Sequence, residues 1–286
     1  MKRPKSNYVI QSVDNALCLL ESFESEEELG VTELSRRLGV HKNNVFRLLA
    51  TLEERGYIEQ TPTRDRYRLS VACLELGQAF VRGRHLLREA QPMLGGLAHE
   101  VHETAHLAVL REFEVIYLAG EQPDGLLCAS LRVGRRAPAH CTAPGKVLLG
   151  CASETLRDAY ERHIADRGRL PAPTPATIVD CLKLHEHLRA VASQGFAIDV
   201  EECEAHVSSA AAPVYDGTMR LVAAVSVSGP AVRLPQDWLL RSVVPKVVAC
   251  AEHLSARLGY AVASGPRDSS KATKITRERA AVFSRS

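Results

Sequence analysis

A chain of 286 residues, 45% hydrophobic and 24% charged, carries enough apolar material for about two globular domains and lies far from disordered or fibrous compositions. A formal net charge of +2 excludes a protein that holds nucleic acid by bulk charge alone; residues 1–70 contain as many acidic as basic side chains, and the acids gather between Glu24 and Glu28. Eight cysteines without a CxxC pair exclude a zinc ribbon, a thioredoxin motif and a compact disulfide framework, and no signal-peptide pattern or apolar run of about 18 residues is present, so reduced thiols, a cytoplasmic location and no membrane partner are expected.

Val13 to Phe23 is predicted as an amphipathic helix with Ser12 as its cap and Ala16, Leu17, Leu20 and Phe23 on one side. A second helix is expected from Thr32, its cap, with Glu33 just inside and Gly39 supplying a tight turn. The third starts near His41. On it Val45, Leu48, Leu49 and Leu52 repeat at the spacing of one buried stripe, which turns Lys42, Asn43, Asn44, Arg47 and Thr51 outward. That outer face suits a base-edge reader, because Asn pairs two hydrogen bonds with adenine, Arg or Lys pairs with guanine, and either cation can hold a phosphate. Gly56 ends the helix, and Tyr57–Gln60 with Arg66–Leu69 form a hairpin whose Arg64, Arg66 and Arg68 can lie along a DNA backbone or reach a minor groove. The bland reading is a helical bundle whose polar residues are a solvated face. The co-occurrence of cap, turn glycine, buried stripe, Asn/Lys/Arg face and basic hairpin in one segment favours a winged helix-turn-helix over residues 8–70.

A linker helix follows over residues 71–84, carrying Leu74, Gly77, Phe80 and Val81, and Leu86–Val101 is expected as a helix interrupted at Pro92. From Thr104 the pattern changes to short strand-like runs: AHLAVL, VIYLAG and GLLCASL. Helices near Gly145–Cys151, Glu154–Arg162 and Lys183–Gln194 follow, then strands at Phe196–Val200, Val207–Val214 and Leu221–Ser228, and a closing helix Trp238–Leu258. Residues 85–262 thus form a second, α+β domain, and 263–286 a disordered basic tail rich in Ser, Thr, Lys and Arg.

The ordered segments SVDNALCLLESF, LSRRLGVHKNNVFRLLATLEERGYIEQ, YRLS, AQPMLGGLAHEVHETAHLAVL, RVGRRAPAHCTAPGKVLLG, FAIDVEECEAHVSSAAAPVYD and LVAAVSVSGPAVRL resemble the landmarks of the IclR family of bacterial transcription regulators over residues 8–260. The resemblance implies a winged helix-turn-helix joined by a helix to a GAF-like effector domain, homodimers or homotetramers on palindromic operators, and control by a small metabolite, with repression the commoner mode and activation the alternative. A dimer sets two recognition helices roughly 34 Å apart, so a ligand-driven tilt, passed through the linker at Arg82-Gly83-Arg84, changes the fit to both half-sites. The family's effector loop corresponds to Thr142, Ala143, Pro144 and Gly145, followed by Lys146; amides at that helix start suit a carboxylate. Asp199, Ser209, Ser226 and Ser228 match the positions that would fix the other end of the ligand, expected to be a small organic or aromatic acid. This chain departs from the family in His206, where glycine is usual, in Ser209, where cysteine is usual, and in Pro144, which removes one N–H.

Other chemistry is possible from the same residues. His140, Cys141, Cys203 and His206 contain metal-ligand types, though a loop cysteine and a surface histidine are the better explanation. Cys128, Cys141, Cys203, His140, His206 and Asp199 suggest a thiol-dependent catalyst, but no local signature assembles a nucleophile with a base, so no enzyme and no cofactor is expected. A pure protein scaffold would bind DNA weakly and without sequence preference.

Overall fold

The computed structural model describes residues 9–24, 26–62, 66–82, 85–125 and 128–260, so Arg64, the Gly83-Arg84 pair and the expected basic tail lie outside the described residues. The chain divides into two compact units after Arg84.

The first unit runs α1 (Gln11–Glu21), β1 (Leu29–Gly30), α2 (Val31–Leu38), α3 (Lys42–Glu54), β2 (Ile58–Gln60), β3 (Arg66–Leu69) and α4 (Val71–Arg82). Its three strands are antiparallel in the order β1-β3-β2. Leu19 and Phe23 meet Leu34, Val45, Leu49, Ile58 and Tyr67 in one core, which is what the helical spacing predicts. Two caps differ from expectation. Helix α1 begins earlier, with extended Ile10 before it and Ser12 inside, because the Ile10 carbonyl already accepts the Val13 and Asp14 amides. Helix α2 is capped at Gly30, not Thr32: the Glu33 carboxylate accepts the Gly30 amide at 2.9 Å, and Gly30 is held extended by pairing with Arg66. Gly39 ends α2 at φ 65°, the left-handed conformation that lets the chain turn into α3.

The second unit begins with α5 (His85–Val101), then β4 (Thr104–Arg111), β5 (Glu114–Glu121), β6 (Arg136–Pro138), a 3₁₀ turn Ala139–Cys141, α6 (Ala143–Gly150), α7 (Glu154–Arg167) and α8 (Cys181–Gln194). It closes with β7 (Ala197–Val200), β8 (Val207–Tyr215), β9 (Leu221–Pro230), the turn α9 (Gln236–Trp238), a π-helical turn Leu239–Val243 and α10 (Val244–Arg257). Six antiparallel strands form one sheet in the order β6-β5-β4-β9-β8-β7. Alternate residues of β8 serve opposite faces: Ala210, Ala212 and Val214 join the core with α5 and α10, whereas Ala211 joins Ala143, Val147 and Val191 of α6 and α8.

Helix α5 is not interrupted at Pro92; Leu87, Ala90, Leu94, Leu97 and Ala98 bury one continuous stripe that carries the helix through the missing hydrogen bond. The described part of the third expected strand, from Cys128 onward, is a loop, fastened where Thr104 Oγ1 donates to the Ala129 carbonyl at 2.5 Å. Strand β6 went unforeseen because three residues carry no periodicity. The last helix is broken into a π turn before Pro245, which has no amide to donate and sits in the first turn of α10.

Candidate functional site: a DNA-facing helix and a lined cavity

On α3, Val45 and Leu49 are buried, and Lys42, Asn43, Asn44, Arg47 and Thr51 are exposed. The His41 ring accepts the Asn43 amide through Nδ1 at 3.3 Å, which caps the helix and fixes the entry of its first turn. The Thr51 hydroxyl bonds back to the Arg47 carbonyl at 2.8 Å, so its donor is already engaged within the helix. Phe46, absent from the sequence-derived set, is 58% exposed beside Asn43 and Arg47. One turn's spacing places it on the edge of the same face, where an aromatic edge can meet a thymine methyl. The wing arginines are less available than expected. The Arg66 guanidinium donates to the Glu28 carbonyl at 2.7 Å and to the Glu33 carboxylate at 3.0 Å, and Arg68 pairs with Glu59 at 2.6 Å. Arg66 therefore ties β3 to the start of α2, a task set by the register that puts it opposite Gly30.

In the second unit, Thr142, Pro144, Asp199, Ser209, Ser226 and Ser228 line one cavity, joined by Tyr117, Arg132, Cys203, Glu204 and Val207. Its free volume is about 20 Å³, room for a single water-sized sphere. Ser209, Ser226 and Ser228 meet because β8 and β9 pair with Ser209 opposite Ser228 and Ala211 opposite Ser226. Among the described residues, the buried Ser228 hydroxyl has no hydrogen-bond partner. Asp199 on β7 is less free: its carboxylate accepts the Glu202 amide at 2.7 Å and the Ser209 hydroxyl at 3.2 Å. Burial pushes its carboxyl up to about 6, with Lys146 pulling the other way.

Ala143 and Gly145 do not line the cavity. Both are fully packed: Ala143 lies in the core under α6, and a Cβ on Gly145 would come within 2.2 Å of the Ala139 carbonyl oxygen. The Gly145 amide donates to Thr142 Oγ1 at 3.2 Å, and that hydroxyl donates to the Pro138 carbonyl at 3.1 Å. With Pro144 lacking an N–H, the helix start offers fewer amides to an anion than the loop pattern suggested.

The cation of the cavity is Arg132, which sequence reasoning missed because it stands in a loop without periodicity. Its guanidinium pairs with Glu204, and its amide donates to His106 Nε2 at 3.3 Å. Burial holds the His106 imidazole near 4, so the ring is neutral and Nε2 accepts; the ring packs tilted at 60° against Tyr117 with centroids 5.0 Å apart. A second unforeseen feature is Lys146. It is 0% exposed, donates from Nζ to the Ile198 carbonyl at 2.9 Å and pairs with the Glu202 carboxylate. Thr174 and Thr177 hold the Glu201 and Glu202 carbonyls at 2.6 and 2.7 Å, so the segment after β7 is pinned from two sides.

The metal-type residues separate. His140 Nε2 is bonded to the Pro171 carbonyl at 2.8 Å, and His206 projects to the surface at φ 66°. Among the described residues no three His, Cys, Asp or Glu side chains gather as a metal site. Cys203 lines the cavity, whereas Cys141 is fully buried with its thiol against the Pro138 carbonyl. No helix among the described residues is long and apolar enough to cross a membrane.

Residues 12–62 match the IclR helix-turn-helix domain, and residues 78–256 match the bacterial transcriptional regulator IclR C-terminal domain. The HTH-type transcriptional regulator XynR of Escherichia coli (strain K12) is 34% identical over 255 residues, covering 88% of this chain and 98% of its own. The transcriptional repressor IclR of the same organism is 30% identical over 231 residues, 80% of this chain and 83% of its own. A crystal structure of an IclR homolog complexed with 4-hydroxybenzoate, from Microbacterium hydrocarbonoxydans, superposes with a TM-score of 0.71 at 23% identity, covering 87% of this chain and 97% of that one.

Proposed function

The chain belongs to the IclR family of bacterial transcriptional regulators, and on that premise we propose that it is a cytoplasmic repressor that binds a palindromic operator and is released or retained by a small carboxylic acid. The observation that carries the ligand assignment is the cavity in the second unit, where one buried-side cation, Arg132, faces three strand serines. A carboxylate can exchange with Glu204 on the guanidinium and so keep a charge-assisted pair, while its far end meets Ser226 and Ser228. Because the cavity has room for about one water, admitting an acid requires the Arg132–Glu204 pair to part. That motion is the differential contact a ligand-driven switch needs.

Repression needs no surface beyond operator occupancy, and a repressor stands among the relatives. A homodimer is supported by apolar side chains left exposed on two helices of the first unit, Ile10, Val13 and Leu17 at α1 and Val71, Leu74 and Leu76 on α4. Catalysis is not part of this reading, since His140 is occupied by Pro171 and no side-chain base is bonded to Cys141 or Cys203 among the described residues.

The DNA half is tested by anisotropy titration against DNA from upstream of the gene and a scrambled duplex. Arg47→Ala and Asn44→Ala are expected to cost about 1–3 kcal/mol on the operator and little on random DNA. Equal losses on both duplexes would assign these side chains to phosphates instead. Phe46→Ala is expected to weaken discrimination at a thymine position only.

The ligand half predicts a pH dependence. Asp199 is protonated below about pH 6, and a carboxylate entering beside it raises that value further. Binding an acid then takes up a proton, so affinity rises as pH falls from above neutrality towards 6 and levels off below it. Calorimetry with 4-hydroxybenzoate and short aliphatic acids, in buffers of different ionisation enthalpy, reads this proton directly. Asp199→Asn should flatten the profile; an unchanged slope would remove Asp199 from the ligand's neighbourhood.

A further inference from the structure

Helix α7 and the β4–β5 hairpin border another cavity of the second unit, of about 430 Å³, which shares no lining residue with the Arg132 cavity. That volume lies in the range of small-molecule sites. On α7, Tyr160, His163, Ile164 and Arg167 fall on one helical face and all line it. Gly168 ends the helix at φ 71°, and the chain continues into Arg169 and the buried Leu170, which line it too. From the hairpin comes Phe113, which with Glu112 makes a tight turn at φ 66° and 54°, a conformation usually given to Asn-Gly. A bulky residue is strained there, and Phe113 is held by its ring, with centroids 5.3 Å from Tyr160 and 4.7 Å from His163. The three rings make an aromatic wall.

The polar groups around that wall are short of partners. Tyr160 is only 5% exposed, yet its hydroxyl makes no hydrogen bond among the described residues. Burial pushes the phenol up, so it stays protonated and able to donate. Arg167 and Arg169 are exposed, and among the described residues neither makes an ion pair or a hydrogen bond. The lining carboxylates, in contrast, are answered from outside the cavity: Arg136 meets Glu114 at 3.2 Å and Glu112 at 3.6 Å, and Arg111 meets Glu112 at 3.7 Å. The charge left over is positive. The i to i+7 spacing sets Tyr160 and Arg167 about 10 Å apart along the helix axis, the span of one benzene ring with a polar group at each end. We propose that this cavity binds a para-substituted aromatic carboxylate, its ring on Phe113, Tyr160 and His163, its carboxylate on Arg167 and Arg169, and its para acceptor on the Tyr160 hydroxyl. The bland alternative is a water-filled crevice whose arginines complement the carbonyl end of α7.

This site stands apart from the effector reading, and its test uses full-length Arg132→Ala protein, in which the other cavity has lost its cation. Calorimetry with 4-methoxybenzoate is expected to show one site per chain, with benzoate binding more weakly. Arg167→Ala with Arg169→Ala should weaken both acids about tenfold or more. Tyr160→Phe, which keeps the ring, should bring 4-methoxybenzoate down to the level of benzoate and leave benzoate unchanged. Arg162→Ala removes an exposed arginine of the same helix outside the cavity and should change neither. Two probes need no further variant: 4-methoxybenzyl alcohol, a ring without the charge, and inorganic phosphate, a charge without the ring, should each bind about tenfold more weakly or not at all. No binding of either benzoate to the Arg132→Ala protein, binding indifferent to Arg167 and Arg169, or phosphate held as tightly as the benzoates would overturn the proposal. Wild-type binding abolished by Arg132→Ala alone supports the effector reading and sinks this one. A single wild-type equivalent that survives Arg132→Ala and is lost with Arg167 and Arg169 does the reverse.

Discussion

Replacing Lys146 by methionine is expected to destabilise the second unit by about 3–5 kcal/mol, the range for removing one partner of a buried ion pair. The reason is the charge left behind: Glu202 is buried and already pushed up by desolvation, with Lys146 as the opposing charge that keeps it ionised. Lys146 meets one Glu202 carboxylate oxygen, and the second has no hydrogen-bond partner among the described residues. Denaturant unfolding of the variant should show a lower midpoint and, with it, loss of order in the segment that carries Glu201 to His206. The double replacement Lys146→Met with Glu202→Leu should recover most of the loss, because a matched apolar pair carries no desolvation cost. A single variant as stable as the parent would mean that Lys146 reaches water, contrary to its full burial.

The second large effect concerns Arg132. Arg132→Ala is expected to weaken acid binding by about 2–5 kcal/mol, about thirtyfold or more in affinity, while operator affinity without ligand stays unchanged. Among the described residues no other cationic side chain lines the cavity: Pro144 has no amide to give and the Gly145 amide is taken by Thr142, so a carboxylate has few other partners there. Arg132→Lys should restore only part of the affinity, since an ammonium cannot make the paired fork. If the alanine variant responds to acids as the parent does, the anion contact lies elsewhere and the ligand assignment falls. Glu204→Gln is the complementary change. It frees the guanidinium, and tighter acid binding is expected.

The departures from the family pattern have physical readings once the backbone is known. His206 occupies φ 66°, the left-handed region where glycine is at ease, and its side chain is 95% exposed beside Glu201. Ser209 donates to Asp199 and so keeps a polar link at the place where the family's cysteine is usual. Pro144 is tolerated because it sits in the first turn of α6, where an unpaired amide would otherwise need a partner.

Local pattern was enough for the outward polar face of α3. The α3 stripe of Val45 and Leu49 is periodic, so the outward Lys42, Asn43, Asn44 and Arg47 follow from spacing alone. Phe46 stands outside both the apolar stripe and the polar set, and only the folded surface shows it 58% exposed. The strand serines were legible through the resemblance of ordered motifs, and pairing of β8 with β9 brings them to one cavity. What local pattern determined by itself was therefore the winged head and the α+β character of the second unit, since each depends on contacts within a turn or along one strand, whereas the cavity-lining segments came through the resemblance. Only the tertiary structure decided that Lys146 is sealed against Glu202 and that Arg132 meets Glu204. Those contacts join residues more than fifty positions apart, and their strength comes from burial, which no local spacing records.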